Sequence, residues 1–114
     1  MLYSQTRIYA RSLELVALCR EAIQEMPPGY AFLSDQLRRA SSSVVLNFAE
    51  GAGKTTPRER RCYVQRSKAS AYEVAAAIDF GIAAGVLPVR FKADAAEVVD
   101  HLGGMLSKFK WVRE

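Results

Sequence analysis

From Ser34 to Glu73, apolar and small side chains recur at three- and four-residue spacings on both sides of a short glycine-bearing break. That period matches the turn of an α-helix, so the stretch reads as two amphipathic helices joined by a corner. Leu33, Leu37, Ala40, Val44 and Phe48 form the apolar face of the first. Gly51 is expected to close it in the left-handed conformation that glycine adopts at little steric penalty. Thr56, Pro57 and Glu59 match the N-cap, first-turn and third positions of a capping box, in which two side chains and two backbone N–H groups satisfy one another. A new helix therefore starts at 57.

The remaining segments repeat the pattern. Residues 6–26 carry a stripe of Ile8, Leu15, Val16, Cys19, Ile23 and Met26, which ends at Pro27, Pro28 and Gly29. Proline lacks the N–H and its ring clashes with the preceding turn, so the chain breaks there, and residues 30–33 lead into the next helix. The third helix is expected over 57–84, with Tyr63, Ser67, Ser70, Val74, Ile78 and Gly81 facing inward. Gly85 and Pro88 mark a turn, and a fourth helix over 91–110 buries Ala95, Val98, Val99, Leu102, Leu106 and Phe109; Gly103 and Gly104 permit close packing or a bend. No strand pattern occurs. The expectation is an all-α fold, an antiparallel up-down-up-down four-helix bundle, with residues 1–114 as one domain.

The formal charge of +4 is unevenly distributed. Six basic residues, Lys54, Arg58, Arg60, Arg61, Arg66 and Lys68, lie between positions 54 and 68 against one acid, Glu59. On the third helix Arg58, Arg61, Gln65, Lys68 and Tyr72 share an outer face. Cations interleaved with a tyrosine suit a phosphate backbone and a stacked base, so Lys54, Arg58, Arg61, Arg66, Lys68 and Tyr72 are the candidate nucleic-acid-binding residues. A solvated face, or one that meets an acidic protein, is the alternative. Cys19 and Cys62 fall far apart within helical patterns, as reduced thiols do in a cytoplasmic protein. No signal peptide and no membrane-length apolar run is present, and the expected location is the cytoplasm.

Catalytic patterns are sparse. GAGKT at 51–55 looks like the end of a phosphate-binding loop, but the first glycine of that motif falls at Phe48, and a helix rather than a strand precedes it. It reads as a helix-to-helix turn with a solvated lysine. His101, the only histidine, sits one turn after Glu97 and reads as a surface residue. There is no HExxH, CxxC or glycine-framed serine. We expect no catalytic residue, no metal site and no cofactor. Asn47 and Glu50 read as structural, Asn47 reaching a serine of the third helix and Glu50 meeting Arg60 or the positive start of that helix. Leu46, with Ala49 beside it, points away from Leu37; either a second copy of the chain covers it, or it is a lone exposed leucine.

DQLRRASSSVVLNFAEGAGK, followed by a basic segment and SKASAYE, resembles the small four-helix-bundle proteins encoded in intervening sequences of bacterial 23S rRNA genes. That family is similar in turn to the accessory variability determinant of diversity-generating retroelements. The residues that carry the resemblance are Arg39, Ala40 and Ser41, then Asn47, Ala49, Glu50 and Gly51, then Ser70 and Glu73. It covers roughly 5–110 and implies a ring-like homo-oligomer, a pentamer, with a basic surface for RNA or DNA. It also implies no enzymatic activity and, in the retroelement branch, a reverse transcriptase as partner. Basic residues 54–68 lie outside the family motif, so the binding face rests on charge.

Overall fold

The computed structural model describes residues 2–111. Four helices follow a single 3-10 turn at Tyr3–Gln5: α1 (Arg7–Gln24), α2 (Ala31–Ala52), α3 (Pro57–Ala83) and α4 (Arg90–Lys108). Each packs against its neighbours in sequence, and α4 closes back on α1, giving the expected antiparallel bundle.

The ends follow local chemistry. The Thr6 hydroxyl caps α1 by accepting from the Tyr9 N–H at 3.1 Å. Thr56 caps α3 likewise, accepting from the Glu59 N–H at 3.1 Å. The reciprocal half of the box differs, because the Thr56 hydroxyl, not its backbone N–H, donates to the Glu59 carboxylate at 3.0 Å. At the far end of α3, Gly85 has φ +77° and the N–H of Val86 returns to the Gly81 carbonyl at 2.9 Å, a left-handed cap that satisfies carbonyls of the last turn.

Gly51 departs from expectation. It lies inside α2, buried, and the helix runs on to Ala52, with Gly53 in a right-handed conformation at its end. Glycine is needed at 51 for room, since a Cβ there would stand 3.1 Å from the Tyr63 Cβ and 3.6 Å from the Trp111 indole nitrogen. The start of α2 is also earlier, at Ala31.

Around one core, Leu15, Leu37, Phe48, Ile78, Phe91 and Leu102 are fully buried. The stripe of α1 is rotated from its expected phase. Ser12, Leu18 and Ala22 are buried while Val16, Ile23 and Met26 are only half-buried, because α1 must face both α2 and α4. In α3, Val64 and Ala71 take inward places and Tyr63 sits at the edge. Small residues let α2 and α3 approach closely. The buried Ser67 hydroxyl donates to the Val44 carbonyl at 2.7 Å, an interhelical bond that satisfies a polar group inside the core.

Gly81 marks a second close approach. A Cβ added there would lie 2.6 Å from Cδ1 and 2.9 Å from Cγ of Leu87. Gly81→Ala must therefore displace the Leu87 side chain, and a loss of about 1–3 kcal/mol is expected in chemical denaturation. An unchanged midpoint would mean that the α3–α4 turn yields freely.

Candidate nucleic-acid interface

The basic residues divide between two flanks of α3. At 100° per residue, Arg58, Arg61, Lys68 and Tyr72 lie within an arc of about 80°, whereas Arg66 is about 140° from Arg61. Arg58 and Arg61 are exposed, Lys68 is half-buried, and Tyr72 is 48% exposed. This flank faces α4: the Tyr72 hydroxyl reaches the backbone of Gly103, where an added Cβ would meet it at 2.7 Å.

Arg66 belongs with a second group at the α2–α3 corner. Its guanidinium stands 4.7 Å from the centre of the Tyr63 ring, and the Lys54 ammonium stands 4.9 Å from the same ring. Both are cation–π contacts, which anchor long side chains without neutralising them. Tyr63, followed by the Glu50 carboxylate, raises the Lys54 ammonium above its ordinary range. Arg60 donates to the Lys54 carbonyl at 3.0 Å and braces the corner. Lys54 is thus tethered, not the free solvated lysine its sequence context suggested, and the segment around it has no phosphate-loop geometry because Gly51 and Ala52 are still helical.

The polar residues assigned structural roles are placed as follows. Asn47 donates to the Ser43 carbonyl at 2.9 Å and to the Ser43 hydroxyl at 2.7 Å, so it reaches α3 only indirectly, through the 2.8 Å contact between the hydroxyls of Ser43 and Ser70. Glu50 does not meet Arg60. It is exposed and pairs with Lys54 at 3.5 Å, because the turn after Ala52, closed by the Lys54 N–H donating to the Gly51 carbonyl at 3.2 Å, brings the lysine back over the end of α2. Glu73 is exposed and accepts from the Gln36 amide at 2.7 Å. His101 is half-buried, and the Glu97 carboxylate is engaged by Arg11 of α1.

Leu46 is 63% exposed, and Ala49 is half-buried beside it. The sequence reading missed a second apolar feature. Phe32 of α2 and Phe80 of α3 are both more than half exposed and meet edge-to-face, with ring centres 6.0 Å apart. With Gln36, Arg39 and Glu73 they line an open groove of about 490 Å³. Phe32, Arg39 and Leu46 recur at seven-residue intervals, so a heptad count along α2 was the available signal.

Cys19 and Cys62 are free thiols; burial, partly offset by a Ser41 hydrogen bond, pushes the Cys19 thiol up to about 12. Among the described residues, no group of His, Cys, Asp or Glu gathers to hold a metal ion, and no helix is long and apolar enough to cross a membrane.

A family model described as 23S rRNA-intervening sequence protein matches residues 4–108. No curated protein matches the chain.

Proposed function

The chain belongs to the 23S rRNA-intervening sequence protein family, and from that premise we propose that it is a non-catalytic, self-assembling helical bundle that binds RNA through the outer face of α3. The observation that carries this reading is the row of Arg58, Arg61, Lys68 and Tyr72 on one flank of a long helix. The carboxylate that shares their arc on α3, Asp79, lies about three turns beyond Lys68 and is paired with Lys92 at 2.6 Å. Such a row presents positive charge at spacings that a flexible phosphate backbone follows. The tethered pair Lys54 and Arg66 extends the positive field around the α2–α3 corner.

The test is a titration of the protein against structured RNA, duplex DNA and single strands over a range of salt. Log affinity is expected to fall linearly with log salt, since each phosphate contact releases counterions. Absence of binding to all three at low salt would overturn the reading. A protein-interaction scaffold, with a reverse transcriptase as one partner class, would then stand in its place; the exposed Phe32–Phe80 pair is what favours that second reading.

Self-association rests on the outer face of α2, where Phe32 and Leu46 present apolar surface to solvent. A ring of five copies is the assembly we propose. Light scattering at micromolar concentration should return a multiple of the chain mass. Leu46→Glu, alone or with Phe32→Ser, should lower that mass at unchanged helix content, because neither side chain contributes to the bundle core. A monomeric wild-type protein would rule the assembly out.

A further inference from the structure

Tyr72 is a large aromatic side chain left 48% exposed in the groove between α3 and α4. Its ring is held there by an absence: Gly103 of α4 has no side chain, so the edge of the ring rests against helix backbone. An added Cβ would stand 2.7 Å from the hydroxyl, 3.3 Å from Cζ and 3.8 Å from Cε2. Any other residue at 103 would push the ring outward. A tyrosine half sunk into such a notch loses rotamer freedom before any ligand arrives, and a pre-ordered ring stacks with a smaller entropic penalty than a mobile one.

The surroundings indicate what the ring meets. Lys68 precedes it by one turn and Arg61 by about 16 Å of helix rise, a span of two to three nucleotides of extended strand. Because α3 and α4 run antiparallel and Tyr72 lies opposite Gly103, residues after Gly103 run alongside those before Tyr72. The exposed Lys110 therefore adds positive charge toward the same end of the bundle, whereas Lys108 lies about 140° around α4 from Gly103, beside Thr6 and Arg7. Cations along a track that ends on an exposed aromatic face suit a single strand, whose phosphates follow the cations while an unpaired base stacks on the ring. A duplex offers no free base face, since its bases already stack on one another.

We infer that the groove at Tyr72 and Gly103 is a stacking site for an unpaired RNA base, with Gly103 as the residue that positions the ring. This rests on the reading of α3 as the RNA-binding face.

The experiment uses the full chain, a labelled oligouridine of about 12 nucleotides and an RNA duplex of similar length. Tyr72→Ala should weaken oligouridine binding by about five- to 150-fold, with duplex binding changed by less than about twofold. Tyr72→Phe keeps the aromatic face and should bind as the parent does. Gly103→Ala should weaken oligouridine binding several-fold, with helix content retained because alanine favours a helix more than glycine. The double variant Gly103→Ala/Tyr72→Phe removes the 2.7 Å clash and should recover most of the affinity. A merely structural notch would move none of these affinities. Unchanged oligouridine binding by Tyr72→Ala, alongside a loss in a variant with the α3 cations removed, would overturn the stacking site and leave the RNA-binding face standing. Unchanged binding by both would overturn the face itself.

Discussion

Replacing Arg58, Arg61 and Lys68 together by glutamine is expected to weaken nucleic-acid binding by about 100- to 500-fold at roughly 0.1 M salt. Each phosphate contact contributes about 0.7 to the slope of log affinity against log salt for single strands and about 0.9 for duplexes. Three lost contacts should flatten that slope by about 2.1 to 2.7, and the affinity change at 0.1 M is the same exponent read one decade below 1 M. Unrelated sequences should suffer similar losses, because phosphates carry no sequence information directly. In an oligomer several copies of the face can meet one RNA, and avidity would then enlarge the loss. Stability should change little, since Arg58 and Arg61 are exposed and glutamine is a good helix former. Arg66→Gln offers a contrast. It faces the α2 side over Tyr63, so its removal should reduce affinity by no more than one contact's share. Unchanged affinity and slope in the triple variant would make this flank an ordinary solvated surface.

Phe48→Ala is the substitution expected to damage the fold most. Phe48 is fully buried, and its ring centre lies 5.0 Å from that of Trp111 and 5.2 Å from that of Phe109, which are themselves 4.6 Å apart. These rings lie at the end of the bundle, where the segment after α4 crosses α2 beside Gly51. Truncation removes apolar contact area, opens a cavity and breaks two aromatic pairs at once, so a loss of about 3–5 kcal/mol is expected. For a domain of this size that corresponds to roughly 15–30 °C in Tm. Trp111 is the only tryptophan, so its emission should shift to longer wavelength as the indole gains solvent, below the global transition if the tail releases first. A Tm within about 5 °C of the parent would show that the tail packing contributes little. Leu46→Ala, at an exposed position on the same helix, should shift stability by less than about 0.5 kcal/mol.

Much of the bundle was legible along the chain because its signals are local. The period of α2, the Thr56 cap and the breaks at Pro27 and Gly85 each depend on residues within one or two turns, and these elements fall within a few residues of their expected positions. The outward placement of Leu46, Arg58 and Arg61 followed from helix phase alone. Misreadings arose where a residue's role is set by a partner distant in sequence. Gly51 carries the sequence signal of a helix end, yet its smallness serves the contact with Tyr63 and Trp111. Glu50 was expected to meet Arg60 or the start of α3, but the turn that follows α2 brings Lys54 to it instead.

By itself, then, the sequence determined the four helices, their order, the buried faces of α2 and α4 and the basic outer flank of α3, since periodicity and capping are properties of neighbouring residues. Only the tertiary structure decided that Phe32 and Phe80 meet, that Arg66 and Lys54 converge on Tyr63 apart from Arg61 and Lys68, and that Tyr72 rests in the notch at Gly103. The physical reason is the same in each case. Helix phase states which way a side chain points, but the rotation and axial offset of one packed helix against another are set by how buried side chains of all four interlock, and those settle which outward residues become neighbours.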